Sequence, residues 1–183
     1  RAGWGIFLYN RETNGYVSIP NLNSSSIDLG PALSRDAKFI AFRSDRPDGL
    51  GGTDVFLYDR DADQIVALPG LNSTADDQEP DISADGRYIV FESDRLTGLG
   101  GWDVLLYDRQ VQQLLSLTPV NSTDNDEEPG ISRDGRYIAL QSDRTGTWED
   151  VFLYDRQTQT FVDVGPANSP DTEQNPKLNS VGG

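Results

Sequence analysis

The 183-residue sequence contains no cysteine, no histidine and no methionine. Without cysteine there is no disulfide, no thiolate nucleophile and no cysteine-based zinc or iron–sulfur site. Without histidine there is no Ser–His–Asp triad, no HExxH zinc site and no imidazole to serve as an acid or a base. Any catalytic centre would have to be built from carboxylates, hydroxyls, tyrosine, lysine or arginine. These absences leave binding as the main class of function that stays open.

Positive charge is also scarce, because 15 Lys and Arg face 30 Asp and Glu, which gives a net charge of −15. Nucleic-acid affinity depends mainly on clustered Lys and Arg, so we expect no nucleic-acid partner. No apolar run approaches the roughly 20 residues that a membrane-spanning helix needs. The hydrophobic fraction of 36%, to which 18 glycines add, is that of a globular domain rather than a disordered acidic tail.

A repeat with successive steps of 49, 49 and 47 residues predicts the architecture. The degenerate segment GIFLYNR at 5–11 is followed by DVFLYDR at 54–60, DVLLYDR at 103–109 and DVFLYDR at 150–156. Three more series keep this step: Pro31, Pro80, Pro129 and Pro176; the Asn-Ser pairs that begin at Asn23, Asn72, Asn121 and Asn168; and Ser-Asp-Arg at 44–46, 93–95 and 142–144. Four series in one register indicate a tandem array of similar structural units.

Each unit contains four strand-like runs, which we name a to d in chain order. In one complete unit strand a is 80–83, strand b is 87–93, strand c is 103–109 and strand d is 113–117. An Asp-Gly pair between strands a and b is typical of a two-residue antiparallel turn, because both positions tolerate positive φ.

Strands b and c are apolar on both faces, which distinguishes them from strands with one wet face. In the segment 54–60, Val55 and Leu57 point to one side of the strand while Phe56 and Tyr58 point to the other. Such strands need cover above and below, and antiparallel four-stranded sheets stacked face to face supply it. We therefore predict an all-β fold, a β-propeller, whose repeat of roughly 40–50 residues fits. A parallel β-helix is the alternative, but it lacks antiparallel Asp-Gly hairpins.

The register of the repeat predicts a single domain, 1–183, with four blades. The units are approximately 1–28, 29–77, 78–126, 127–173 and 174–183. The last of these supplies a strand a that completes one blade together with strands c and d of the first, so pairing of N- and C-terminal strands is expected to close the ring. The alternative is that the chain is a fragment of a propeller with more blades.

The run PDISADGRYIVFESDR at 80–95, followed by DVLLYDR at 103–109, resembles the TolB-like β-propeller repeat family, with its Pro-x-apolar-Ser-x-Asp-Gly pattern. The resemblance covers nearly the whole chain, as a short form with four blades. The first complete unit departs from the pattern at Asp36-Ala37, where alanine replaces the turn glycine. The resemblance implies a propeller and an extracytoplasmic location, periplasmic or secreted.

An acidic column lies three residues before each strand-a proline. It holds Asp28, Asp77, Asp126 and Glu173. Four acids around a narrow channel repel one another unless they are neutralised, so we consider a Ca²⁺ ion on or near the axis, held by these residues as metal ligands. The alternative is local: each acid caps a turn by accepting backbone N–H bonds, or pairs with the arginine of Ser-Asp-Arg.

Other recurring residues favour scaffolding over catalysis. The Ser-Asp-Arg motif is repeated, whereas an active site is normally single, so we interpret it as an Asp–Arg network that ties blade to blade. Tyrosines at 58, 107 and 154 are expected in packing between blades, with their hydroxyls bonded. Tryptophans 4, 102 and 148 each precede a strand c and would line one rim.

These observations predict a binding scaffold that is not an enzyme and presents loops to a protein partner. Calcium is the one cofactor considered, and the oligomeric state stays open. The alternatives are a propeller fragment of a larger hydrolase or peptidase, which would need paired acids at one unique place, and a carbohydrate-binding propeller that uses the rim tryptophans.

Overall fold

The protein is all-β in the residues that the computed structural model describes, which are 4–146, 149–169 and 171–178. The strands follow in chain order: β1 (Leu8–Asn10), β2 (Gly15–Val17), β3 (Asp28–Leu33), β4 (Phe39–Ser44), β5 (Asp54–Asp59), β6 (Gln64–Val66), β7 (Asp77–Ile82), β8 (Tyr88–Ser93), β9 (Asp103–Asp108), β10 (Gln113–Leu115), β11 (Asp126–Ile131), β12 (Tyr137–Ser142), β13 (Asp150–Asp155) and β14 (Thr160–Val162). A single turn of 3-10 helix covers Gly165–Ala167. Within the described part of the chain, no helix is both long and apolar enough to cross a bilayer.

The strands form three antiparallel four-stranded sheets and one two-stranded sheet. Blade 1 is β3–β6, blade 2 is β7–β10 and blade 3 is β11–β14, each with neighbouring strands paired in sequence order. The N-terminal hairpin, β1 paired with β2, contains strands c and d of the first unit. The order predicted from the repeat, strands c and d followed by three complete sets, is therefore confirmed.

The turn between strands a and b is longer than the two-residue turn that the sequence predicts, since the last paired residues in blade 2 are Ile82 and Ile89, and only the glycine of its Asp-Gly pair has positive φ. Gly86 and Gly135 have φ of 72° and 73°, the region that glycine adopts without a steric penalty. Ala37, which replaces the glycine in blade 1, has φ of 53°. The blade 1 turn thus keeps the shared conformation despite its departure from the sequence pattern.

Every strand a contains a β-bulge at the residue before its proline. The pairing register shifts between Leu29 and Ala32 in blade 1, and at the equivalent places in blades 2 and 3. The residues before the four prolines all have positive φ: Gly30, Glu79, Glu128 and Asn175. Asn175 lies after blade 3, so the segment 172–178 begins along the path of a further strand a.

The hydrophobic core lies between successive sheets. Phe56 and Tyr58 pack with Ile6 and Leu22 of the N-terminal unit, whereas Val55, on the other face of the strand, packs toward blade 2. This is the two-sided burial that the sequence predicts, and it stacks the blades face to face. Tyrosine packing between blades is confirmed as well: Tyr58, Tyr107 and Tyr154 are all buried.

Closure of the ring is not seen among the described residues, because hydrogen bonds do not join the four sheets into a circle there. The N-terminal hairpin stays two-stranded. Residues 1–3 and 179–183, part of the expected closure, lie outside the described residues. The closed four-bladed form and the division of the chain into units remain predictions.

Candidate binding face

The antiparallel strand order sorts the connections onto two opposite ends of the blades. Loops from b to c and from d to a lie at one end, which we call the loop face; it comprises 4–7, 18–28, 45–54, 67–77, 94–103, 116–126, 143–150 and 163–173. Turns from a to b and from c to d lie at the other end, the turn face; it comprises 11–14, 34–38, 59–63, 83–87, 108–112, 132–136 and 155–159.

The net negative charge of the chain is concentrated at the loop face. Its segments hold 16 Asp and Glu against 3 Arg and no Lys, whereas those of the turn face hold 9 acidic and 9 basic residues. The turn face is therefore neutral, and the loop face carries an excess of 13 negative charges. An excess of negative charge at one end of the blades creates an electric field that attracts cationic groups.

Three members of the predicted acidic column, Asp28, Asp77 and Asp126, start strand a of blades 1 to 3 and are buried. The Asp77 carboxylate accepts bonds from the Ser73 backbone N–H at 2.6 Å and from its hydroxyl at 3.1 Å. It also accepts a bond from Arg95 Nη2 at 2.6 Å. Asp28 with Arg46 and Asp126 with Arg144 repeat this arrangement. The alternative in which each acid caps a turn and pairs with the motif arginine is thus confirmed for three of the four.

These three arginines supply the neutralising positive charge for which the sequence suggested a Ca²⁺ ion. Burial alone would raise the pKa of Asp28, but hydrogen bonds from Ser24 and Arg46 outweigh it and lower the pKa. Glu173 accepts a bond from the Ser169 hydroxyl at 2.5 Å, as the equivalent aspartates do from their serines. No group of three acidic side chains within the described ranges converges closely enough to hold a metal ion. The calcium site stays a prediction.

The Asp–Arg pairs lie within single blades, which corrects the prediction that they tie blade to blade. Arg95 lies two residues after the end of strand b, and Asp77 begins strand a of the same sheet. Because strands a and b form a hairpin, the end of b lies beside the start of a. Arg95 also donates to the Leu71 carbonyl at 2.9 Å, so each pair fastens a d–a connection to a b–c loop.

Two b–c loops are held by buried aspartates, a feature that sequence analysis missed. Asp54 accepts bonds from the backbone N–H groups of Leu50 at 2.9 Å and Gly51 at 3.0 Å. Asp103 accepts the equivalent bond from Leu99 at 3.0 Å. The shared spacing GLGGxD is the signal that could have predicted it. Both carboxylates are buried, and burial raises the pKa of Asp54.

These loops present leucine side chains to solvent. Leu50 and Leu99 are each 66% exposed, although their backbones are fixed by the aspartates. Exposed apolar side chains that gather on one surface mark a candidate interaction site. Exposed apolar residues at the same face also include Trp4, Ile27 and Leu96.

An apolar cleft lies behind each leucine. The cleft of blade 1 has a volume of about 480 Å³ and lies between Leu50, the start of strand c at Val55 and the end of strand d at Val66. The cleft of blade 2 has a volume of about 280 Å³ and is lined by Leu99, Val104 and other residues in equivalent positions. The two clefts are one repeat apart.

An asparagine at the far side of each cleft forms two hydrogen bonds with the backbone of strand c. Asn72 accepts a bond from the Val55 N–H at 3.1 Å and donates from Nδ2 to the Val55 carbonyl at 2.9 Å. The same pair of hydrogen bonds, which we call the asparagine bracket, joins Asn23 to Ile6, Asn121 to Val104 and Asn168 to Val151. This explains the Asn column of the repeat, since an amide side chain alone offers both donor and acceptor in that geometry.

Replacing Gly51 or Gly100 with alanine should loosen these loops. A Cβ on Gly51 would lie 2.0 Å from the Ala75 carbonyl oxygen, and one on Gly100 would lie 2.1 Å from that of Asp124. Both obstacles are backbone, so we expect each variant to lose about 1–3 kcal/mol in urea denaturation. Gly15→Ala is the control, because its Cβ would meet nothing nearer than 3.9 Å. Equal midpoints for Gly51→Ala and the wild type would contradict the described loop packing.

Strand b of blade 2 contains a buried carboxylate that the equivalent positions of blades 1 and 3 lack. Glu92 on strand b is 4% exposed, accepts a bond from the Glu128 N–H of blade 3 at 2.7 Å, and accepts another from Gln78 Nε2 at 3.0 Å. Burial raises its pKa to about 7, the two hydrogen bonds lower it in part, and Glu127 and Glu128 add to the rise. Glu92 thus joins blade 2 to blade 3.

A second acid makes a similar connection. Asp81 on strand a of blade 2 accepts a bond from the Ile131 N–H of blade 3 at 2.9 Å, and burial raises its pKa. The equivalent residues, Ala32, Gly130 and Lys177, cannot reproduce it. Both unusual acids are engaged by the backbone of the next blade, which favours a structural role for them.

The rim tryptophans are placed only in part. Trp4 is exposed at the loop face and Trp102 is partly buried there. Trp148 lies outside the described residues. Two of the three expected positions therefore lie at this end of the blades.

No protein-family model and no curated protein matches the sequence. Solved structures match the fold. TolB from Acinetobacter baumannii has a TM-score of 0.65 at 21% identity, over 85% of this chain and 36% of its own. Oligogalacturonate lyase from Vibrio parahaemolyticus has a TM-score of 0.53 at 11% identity, over 86% of this chain and 45% of its own.

The β-propeller domain of the Trilobed protease from Pyrococcus furiosus, described as having an open velcro topology, has a TM-score of 0.54 at 11% identity, over 75% of this chain and 41% of its own. This chain therefore spans between about a third and a half of the length of these three proteins. Identities this low relate the folds and not the functions. The chain has a TolB-like, propeller-type repeat fold.

Proposed function

We propose that the protein is a non-catalytic scaffold that binds a protein partner at its loop face. The observation that supports this most directly is the pair of exposed leucines, Leu50 and Leu99, on loops whose backbones are held by buried aspartates. Rigid loops lose little conformational entropy on binding, so more of the contact energy appears as affinity. Full burial of an exposed leucine side chain is favourable by about 1.5–3 kcal/mol, and only the surplus over the costs of association appears as affinity.

The engagement of the acidic side chains supports a role without catalysis. Asp28, Asp77 and Asp126 are bonded to arginines, and Glu92 and Asp81 hold the next blade. A carboxylate-based catalyst needs acids that can reach a substrate. An extracytoplasmic location follows from the TolB-like resemblance and belongs to this proposal.

A closed ring of four blades would make the loop face continuous. At two interfaces an arginine that follows strand c lies over the aromatic ring at the start of strand b in the preceding blade: Arg109 over Phe39 at 4.1 Å and Arg156 over Tyr88 at 4.2 Å. In a closed ring the equivalent pair would be Arg11 and Tyr137. Such stacking is favourable by about 0.5–1 kcal/mol at exposed sites.

The function is tested by substituting both exposed leucines. A Leu50→Asp, Leu99→Asp double variant should lose the proteins that the immobilised wild type retains from an extract of its source cells, as identified by mass spectrometry. Val111→Asp is the control, because Val111 is an exposed apolar residue at the turn face. Both variants should melt close to the wild type, since the changed side chains are exposed. An identical set of retained proteins on all three would refute the loop face as the binding site.

A further inference from the structure

We infer that the partner of the loop face is a positively charged peptide segment that carries at least two large apolar side chains. This inference rests on the proposed function and adds the chemistry of the partner. It follows from the distribution of charge between the two faces and from the repetition of the apolar cleft.

The loop face has almost no positive charge of its own to offer. Its three arginines, Arg46, Arg95 and Arg144, are each bonded to the aspartate that begins strand a. Acidic side chains around the leucines are exposed, among them Asp48 and Asp94. A partner therefore meets uncompensated carboxylates at the rim of an apolar surface, the arrangement in which lysine and arginine give both steering and specificity.

The apolar part of the surface is duplicated. Blades 1 and 2 place the same elements around a cleft: a glycine-rich loop with its leucine, the start of strand c and the end of strand d. A segment that crosses from one blade to the next meets this chemistry twice. Two apolar anchors on one chain gain from each other, because the second binds at a high effective concentration once the first is seated.

The same charges disfavour other occupants. A second copy of the chain also has a net charge of −15 and would bring one acidic loop face against another. Nucleic acids and anionic membrane surfaces are repelled for the same reason. A cationic, apolar peptide matches both features of the face.

The test uses short, dye-labelled lysine peptides that contain two leucines at varied separations, with binding followed by fluorescence anisotropy. Matched peptides replace leucine with serine or lysine with glutamate. We expect the best lysine–leucine peptide to bind at least about tenfold more tightly than its serine counterpart at physiological salt, and more weakly as salt rises. The Leu50→Ser, Leu99→Ser variant should lose about tenfold in affinity, whereas Val111→Ser should not.

Several outcomes would overturn the inference. Equal affinity for the serine peptides would show attraction by charge alone, and equal affinity for the glutamate peptides would show that charge plays no part. A dimer that the leucine variant abolishes, measured by analytical ultracentrifugation, would identify a second copy as the occupant. If extract proteins depend on the leucines but no lysine–leucine peptide binds, the inference fails and the proposed function stands. If the peptides bind but retention is unchanged in the leucine variant, the proposed function fails.

Discussion

Replacing Glu92 with glutamine is expected to stabilise the protein by about 2 kcal/mol near pH 8, where it removes a buried charge, and to destabilise it by about 1 kcal/mol near pH 4, where only the loss of the Gln78 bond remains. Burial raises the pKa of Glu92 from 4.5 to about 7, so the folded state holds this proton more tightly than the unfolded chain. Its contribution is fully present below about pH 4.5 and is lost as the pH rises through about 7. The loss is at most about 3 kcal/mol, and a neutral amide avoids it.

The glutamine variant has a precedent within the chain. Gln141 occupies the equivalent position of blade 3 and accepts a bond from the Asn175 N–H at 3.1 Å. Glutamine at position 92 can accept the Glu128 N–H in the same way, while the bond from Gln78, worth about 1 kcal/mol, is lost.

Urea denaturation at several pH values measures the effect as the difference between variant and wild type. This removes the pH dependence of other carboxylates, such as Asp155, whose pKa is lowered to about 2 mainly by its hydrogen bond from Arg136. Gln141→Glu is the matched reverse variant and should destabilise near pH 8 more than near pH 4. A stability difference for Glu92→Gln that is the same at every pH would contradict this account.

Removing Arg95 should have a larger effect, a loss of about 3–5 kcal/mol. Arg95→Ala leaves Asp77 fully buried without its charge partner and also removes the bond to the Leu71 carbonyl. Arg95→Lys should recover little, because a single ammonium group cannot replace both Nε, which donates to the Ser93 hydroxyl, and Nη2, which donates to Asp77 and to the Leu71 carbonyl. Unfolding by heat and urea, compared with Arg133→Ala at an exposed position on the turn face, measures the loss.

A double-variant cycle separates the ion pair from the remaining contacts of Arg95. Asp77→Asn in the Arg95→Ala background should restore part of the lost stability, since it removes the unpaired buried charge. A loss below about 1 kcal/mol for Arg95→Ala would show that the pair is as weak as an exposed ion pair.

The fold was predictable because each strand carries its own local signal. Alternation of Val55, Phe56, Leu57 and Tyr58 gives a strand covered on both sides, and Gly86 and Gly135 mark the a–b turns. The bulge before each strand-a proline was not predicted. Glu79 and Glu128 adopt positive φ there, although glutamate does not favour it, so the surrounding sheet imposes the conformation.

The site was less predictable because spacing does not identify the partner of a charge. Asp77 and Arg95 recur 18 residues apart, as do their equivalents, and this spacing fits a metal ligand beside a free arginine as well as an ion pair. Hairpin geometry decides between them by placing the end of strand b against the start of strand a. The segregation of charge to one face could have been counted from the sequence once the strand order was known.

The asparagine bracket bears on covalent modification. Asn23, Asn72 and Asn121 each begin an Asn-Ser-Ser or Asn-Ser-Thr sequence, which an oligosaccharyltransferase would recognise in an unfolded chain. In the folded protein the nitrogen that would receive the sugar is bonded to the carbonyl of strand c. The hydrogen bond to strand c uses one of the two hydrogens on this nitrogen, and an attached sugar would replace the other. A glycan at these sites would therefore have to fit beside strand c, with a single N–H left to hold the d–a connection.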